Sequence, residues 1–337
     1  MNRTIRTTAA CAIASMAGLS TAANAAISYW DFNVFSRSTI GSASQGYTSD
    51  FQGASGAVGN AYFNGFAVRT MANSSPSLAA GFYGGGNFTL SGSVNNGGVN
   101  VAGNVNINGA SIAGAVRSGG NLGGTSGSVN GNVTLAGVKT AGNSVTVSGT
   151  LATGQAYASA VDLVAASSYF QNAGAYAAGL APTASYVNNW GELVINTSGP
   201  FTVVNLNATD FVNAWGIRVV GGGAVVVNVG GTALNFASKT WNYQGGASAA
   251  STLLNLNDAL SVNMSGGHNV NILAANAAMT FGSGVVTGNL IAGSLTGGGQ
   301  VNWNPDGGFT GATYIPTPGG AIALAGAGLI AIRRRRR

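Results

Sequence analysis

The chain has 337 residues, 55 of them glycine, with hydrophobic residues at 46% and charged residues at only 6%. Low hydrophobicity with high net charge keeps chains disordered, and six prolines without a three-residue glycine period do not make collagen, so composition excludes both classes. The formal charge of +6 belongs to the ends: apart from Arg3, Arg6 and Arg333 to Arg337, six basic residues stand against seven acids, and a body near −1 has no basic face with which to bind nucleic acid.

The first 25 residues read as a secretory signal peptide. Arg3 and Arg6 precede an apolar stretch from about Thr8 to Leu19, then Ala23-Asn24-Ala25, an Ala-x-Ala site with cleavage expected after Ala25 and Ala26 as the first mature residue. The apolar core is short for a membrane span of ~20 residues. The single cysteine, Cys11, lies inside this segment, so the mature chain has no thiol for a disulfide, a metal or nucleophilic chemistry. Signal peptidase is the first partner implied.

Residues 26–314 form the body. "GNFTLSG", "GGVNVAGNVNINGASIAG" and "GSVNGNVTLAGVKTAGNSVTVSGT" each alternate polar and apolar residues over three to six positions, then turn at glycine with asparagine or serine. Period two indicates half-buried strands, and the Gly-Asn and Gly-Ser pairs supply turn positions. Gln155 to Pro182 differs: alanine-rich, it places Leu163, Ala166, Phe170, Ala173 and Ala177 on one arc, predicting an amphipathic helix over about 155–180 that packs on the β-structure, with Gly174 weakening its later part. Downstream, apolar strands each carry an asparagine: Asn205 and Asn207, Asn228, Asn255 and Asn257, Asn271. The spacings from Asn207 to Asn228, Asn255 and Asn271 are 21, 27 and 16 residues, as expected of stacked coils with laddered polar corners. The fold class expected is therefore all-β, a parallel β-solenoid with one packed α-helix. The rival is an antiparallel β-sandwich, disfavoured by abundant glycine and by few aromatic residues between Thr89 and Ala156.

The last segment, 315–337, has Pro316 and Pro318, then 14 uncharged residues from Gly319 to Ile332, then Arg333, Arg334, Arg335, Arg336 and Arg337. Fourteen helical residues span ~21 Å against a hydrocarbon core of ~30 Å, suited to holding a chain transiently in the membrane with the arginines on the cytoplasmic side. This order resembles a PEP-CTERM sorting signal: a proline-containing tripeptide, Pro316-Thr317-Pro318, a short membrane helix and a basic end. Gly319 follows where that family usually has glutamate. The resemblance implies processing by an exosortase-type enzyme; a simple tail anchor is the alternative.

The body resembles the bacterial choice-of-anchor A domain over about residues 31–304. The resemblance is carried by Asn33-Val34-Phe35, then Ser49, Asp50 and Gly53; by Leu163 and Ser167 in the helix; by Asn255, Asp258 and Ala259; by Ile272, Leu273, Ala274 and Asn276; and by Gly288 through Leu295. It departs at Leu254, Ala275 and Gln300, and the low-complexity stretch 90–150 carries little of it. The resemblance implies an adhesin-like extracellular module without an established catalytic site, displayed at the cell surface or in the extracellular matrix.

Chemistry is sparse. Glu192 and Asp210 are 18 residues apart, and no HExxH, GxSxG or GxxxxGK[ST] occurs, so the expectation is a non-enzyme, with a polysaccharide-acting β-helix enzyme as the third choice. His268, in "SGGHNVN", reads as a solvated turn histidine, and the oxygen-rich group of Asn255, Asn257 and Asp258 as an asparagine ladder capped by an acid; no metal or cofactor is expected. Ice binding would need a flat face of Thr-x-Thr pairs, and Thr146 in "SVTVSG" stands alone. Carbohydrate binding is the alternative function: Trp215, Trp241 and Tyr243 are the candidate glycan contacts, with Trp190 and Trp303 also able to stack on sugars, against the plainer role of plugging the solenoid or packing the helix. Extracellular polysaccharide or other surface proteins are the partners this implies.

Overall fold

The computed structural model of the chain describes residues 27–197 and 199–315. The cleavage residues Ala23, Ala25 and Ala26, and the sorting residues from Pro316 to Arg337, lie outside them. The fold is mostly β, with parallel sheets and two α-helices among the described residues. Strand pairing is parallel throughout, except where Tyr186–Asn189 turns back on Glu192–Asn196. Parallel, coil-upon-coil pairing rules out the antiparallel sandwich and gives a β-helix-like solenoid.

One face carries a continuous ladder of twelve strands, which at ~4.8 Å each makes a shaft of ~53 Å. Its order is not the chain order. Val34–Ser36 sits mid-shaft, between Ser55–Ala57 and Leu290–Gly297. From there coils stack outward through Phe82–Gly84, Val99–Val101, Val116–Ser118 and Val133–Leu135 to Leu151–Ala152. The chain then returns along the shaft and restarts at the opposite end with Phe201–Leu206, stacking inward until Leu290–Gly297 docks on the first strand. Strand Asn271–Thr287 shows a whole coil in one element: its start, middle and end pair with Leu290, Ser294 and Gln300 respectively, on three successive faces.

Register explains the dry interior. Val204, Val227, Leu254, Ile272, Leu290, Val34, Phe82, Val99, Val116 and Val133 occupy equivalent inward positions along the ladder, each at most 1% exposed. Each such aliphatic contributes roughly 1.5–3 kcal/mol by leaving water.

The returning segment is helix α1, Leu163–Gly179, shorter than the expected 155–180. Residues 153–161 before it have no regular secondary structure, and the Tyr157 hydroxyl donates to Asn100 Oδ1 at 2.7 Å. Asp162 caps the helix by accepting from the Ala165 N–H, and Leu163, Ala166, Phe170, Ala173 and Ala177 are all buried as the periodicity requires. A second apolar cluster lies between this helix and the sheet, built from Phe35, Tyr83, Phe170, Val226, Leu253, Leu273 and Ile291. Arg37 tacks the helix down, with Nε on Ser167 Oγ and a terminal nitrogen on Gln171 Oε1. Helix α2, Ala208–Asn213, was not expected; Asn207, read from sequence as a ladder residue, is its N-cap, accepting from the N–H groups of Thr209 and Asp210.

Candidate functional surfaces

The outward rows of the long ladder change character with what covers them. One row runs Asn205, Asn228, Asn255, Leu273, Ile291, Phe35, Gly56, Tyr83, Asn100, Arg117 and Thr134. Its apolar centre lies under α1. At one end the asparagines form a true ladder: Asn255 Nδ2 donates to Asn228 Oδ1 at 2.8 Å and to the Gly174 carbonyl, and Asn228 Nδ2 to Asn205 Oδ1 at 3.0 Å and to the Ala177 carbonyl. The amides thus join coil to coil and coil to helix. Gly174 eases this close approach: a Cβ there would stand 3.3 Å from Asn255 Oδ1 and from Asn257 Oδ1, slightly tighter than ordinary contact. Beside the ladder lies an open groove of about 260 Å³, bounded by Ala178, Asn205, Asn228 and Asp258. Asp258 accepts from Asn257 Nδ2 and does not cap the ladder.

Asn271 belongs elsewhere. It lies level with Leu253 and donates to the carbonyls of Ala249, Ala250 and Thr252, while its Oδ1 accepts from the Asn289 N–H at 3.0 Å. Asn289 in turn donates to the carbonyls of Trp30 and Phe32 and accepts from the Phe309 N–H. Both ends of the described chain are thereby clasped at mid-shaft. From there Thr310–Tyr314 leads toward the terminal coil, where Tyr314 stacks on Phe201 at 4.9 Å and 12°.

On a second face, outward positions Asn235, Asn263, Thr280 and Thr296 form a flat row, with Thr280 Oγ1 3.3 Å from Thr296 Oγ1. One in-register threonine pair therefore exists, though not at Thr146, whose hydroxyl donates to the Gly127 carbonyl. Sequence alone could not align Thr280 with Thr296, since the 16-residue offset is set by non-local register.

The candidate glycan residues separate. Trp241 is 8% exposed and faces the core with Tyr243, the two rings stacked 6.3 Å apart. The Tyr243 hydroxyl donates to the Asn269 carbonyl at 2.6 Å, and burial pushes its phenol pKa up. Trp241 offers no free ring face to a sugar, which corrects its assignment as an accessible contact, while Tyr243 is half-buried beside it; alternation in "TWNYQ" already placed both on one side. Trp303 is buried as well. Trp215 is 54% exposed and Trp190 95%.

These last two meet at the antiparallel hairpin. Asn189 pairs with Glu192, so Trp190-Gly191 is a two-residue turn, with φ of +51° and +84°. Turns with both central residues at positive φ strongly prefer Asn-Gly, and a bulky residue there costs roughly 1–2 kcal/mol. From the neighbouring coil, the Trp215 backbone N–H donates to the Gly191 carbonyl and its Nε1 to the Trp190 carbonyl, both at 3.0 Å. The adjoining outward rows are mixed and balanced in charge: Asn189, Glu192, Gly216 and Thr240 in one, Val187, Val194, Arg218 and Asn242 in the next, with Arg218 and Glu192 paired at 2.8 Å.

Most of the carboxylates have structural partners. The Asp31, Asp50 and Asp162 carboxylates accept backbone N–H groups, and Asp210 accepts from the Tyr186 hydroxyl. Among the described residues, no three His, Cys, Asp or Glu gather as a metal site would require. His268 is not a solvated turn residue. It ends strand Ser261–His268 at 3% exposure, with Nε2 3.0 Å from the Ser265 carbonyl and the ring edge-on to Phe236. Burial lowers its pKa to about 4, and the charge of Lys239 adds to this. The glycines before it looked like a turn, but the strand bends there through a register shift instead.

Fold and surfaces together define a parallel β-solenoid, stapled by a side-packed helix and offering flat polar faces. The chain belongs to the family described as "Putative Ice-binding-like adhesive domain", whose profile matches residues 28–303. No curated protein and no solved structure matches it. Among the described residues no helix is long and apolar enough to cross a membrane.

Proposed function

We propose that the protein is an exported, surface-sorted and non-catalytic structural or adhesive component of the bacterial envelope or extracellular matrix, of the choice-of-anchor A type with a PEP-CTERM-like tail. The observation that carries this reading is the unbroken twelve-strand ladder in a chain of an adhesive-domain family, which points to the cell surface or its exterior. A shaft of ~53 Å without disulfides suits display, because its stability lies in stacked coils and not in thiol chemistry that Cys11 alone could supply. Tyr314 on Phe201 leads the chain toward one end of the shaft, so a tail held at the membrane or transferred by a sorting enzyme leaves the Leu151–Ala152 end outermost. The carboxylates that hold backbone and hydroxyl groups support a non-catalytic role. Ice is the ligand that the family's description names; the Thr280–Thr296 row has two hydroxyls across four strands, and we expect no thermal hysteresis beyond the colligative value.

Cell fractionation with intact-mass measurement tests the display reading, comparing the whole chain with one lacking residues 315–337. We expect a mature chain starting at Ala26 and ending before Gly319 in the surface or matrix fraction. Cytosolic protein with Met1 retained would overturn it. Polysaccharide turnover that disappears on removing one acid would replace it with the enzyme reading.

A further inference from the structure

We infer that the Trp190-Gly191 turn, supported by Trp215, is a stacking site for an uncharged polysaccharide. The inference rests on the display reading and names the partner for it.

Three observations converge. Trp190 holds the positive φ that asparagine or glycine would adopt without strain, yet at 95% exposure its ring returns no packing within the described chain. What the indole contributes is therefore directed outward. Second, the turn is held from beneath: both N–H groups of Trp215 donate to its two carbonyls, and Gly191 N–H donates to Asn188 Oδ1 at 2.9 Å. The ring is carried on a braced support, which lowers the ordering cost of binding. Third, this hairpin is the antiparallel exception in the described fold, a local departure from the solenoid that projects the ring beyond the coil.

The surroundings select the ligand. An exposed indole offers a flat apolar face to the C–H face of a sugar ring, and Trp215 adds a second, half-exposed ring. Asn188, Asn189, Thr240 and Asn242 are exposed donors and acceptors for sugar hydroxyls. The nearby charges, Arg218 and Glu192, neutralise each other, so the site has no free cation for an acidic polymer or an anionic membrane. The hairpin springs from the coil where Tyr314 packs on Phe201, so in the displayed protein it faces matrix near the held end.

The test is affinity electrophoresis of the purified whole chain in native gels containing hydroxyethyl cellulose, dextran or mannan, with alginate as the acidic control, read beside tryptophan fluorescence. We expect retardation by at least one neutral polymer and none by alginate. Trp190→Asn should weaken binding at least tenfold while leaving the melting temperature unchanged or raised, since asparagine fits the turn. Trp190→Gly repeats the test should the first variant misfold. Retardation by none of the neutral polymers, retardation by alginate alone, or undiminished retardation of a folded Trp190 variant each overturns the site. So does self-association in sedimentation that Trp190→Asn abolishes without any polymer. A surface-sorted chain that is not retarded sinks the site and spares the display reading; a retarded chain confined to the cytosol does the reverse.

Discussion

The outer coils, from Phe82 to Ala152, and the helix-covered coils, from Phe201 to Asn302, build the same faces by opposite means. In the first, strands begin at 82, 99, 116 and 133, a strict 17-residue repeat, and each corner is closed by the same pair. Asn87, Asn104 and Asn121 accept in turn from the N–H groups of Asn104, Asn121 and Val138 at 2.8–2.9 Å, with Gly103, Gly120 and Gly137 packed against the asparagine one coil back. In the second, 23 and 27 residues separate Asn205, Asn228 and Asn255, and the extra length holds α2 and loops fixed by individual anchors such as Lys239, whose buried ammonium donates to the carbonyls of Val212 and Ala214. Repetition gives the outer coils a cheap corner used many times; the covered coils depend on particular side chains that hold the returning helix.

That difference is sharpest for glycine. A Cβ on Gly103 would lie 2.5 Å from Asn87 Oδ1 and 2.7 Å from the Gly86 carbonyl carbon, so coils must separate. Gly103→Ala should cost about 3 kcal/mol in chemical denaturation. Gly174→Ala, on the covered side, gains roughly 1 kcal/mol of helix propensity against two 3.3 Å contacts with amide oxygens and should fall within about 1 kcal/mol of wild type. Equal costs at the two sites would break the contrast.

The asparagine ladder under the helix comes next. Asn255→Leu removes the donors to Gly174 and Asn228 and leaves Asn228 Oδ1 buried without its partner, for a loss of about 2–3 kcal/mol. Hydrogen exchange should show α1 loosening in this variant while the 82–152 coils keep their protection. A uniform loss of protection would mean that the two regions unfold as one.

Some of this was legible in the sequence and some was not, for separable reasons. The helix face could be read because its signal is local: all five arc residues from Leu163 to Ala177 are buried. The parallel class followed from apolar, asparagine-bearing strands spaced about one coil apart, with abundant glycine and few aromatic residues between Thr89 and Ala156. The permuted stacking order did not, since nothing near Val34 announces that it pairs with Leu290. Ladder membership failed likewise: Asn205 and not Asn207 faces Asn228, a choice of parity that the α2 cap decides. The 17-residue repeat was visible in Asn87, Asn104 and Asn121, but low complexity masked it. At the turn, "NNWGE" held the one local clue to the exposed ring: tryptophan where a two-residue hairpin wants asparagine.

Acid should separate the regions as well. The coils from Phe82 to Ala152 contain Arg117 and Lys139 as their only charged residues, and neither is buried, whereas the covered side holds His268 buried and neutral. A histidine whose folded pKa is about 4 binds fewer protons folded than unfolded, so its contribution is intact above pH ~6.5 and lost as pH falls toward 4. The loss should reach about 2 kcal/mol by pH 5, with hydrogen exchange rising first around strand Ser261–His268. His268→Leu should flatten the profile; an unchanged slope would assign the acid sensitivity to another group.

The smallest expected effect tests whether the helix, and not the coil, dictates what an outward position holds. Arg117 shares a row with Leu273, Ile291 and Phe35, but it lies past the reach of α1 and is exposed. Arg117→Thr copies the next coil, where Thr134 occupies the equivalent place, and should change stability by less than about 0.5 kcal/mol. Leu273→Thr makes the same kind of change under the helix and should cost about 2 kcal/mol or more, because Leu273 packs in the cluster between α1 and the sheet. If both substitutions cost the same, the row's change from asparagine through leucine to arginine would reflect the coils themselves, and the helix would be a passenger on the shaft instead of the element that joins its two halves.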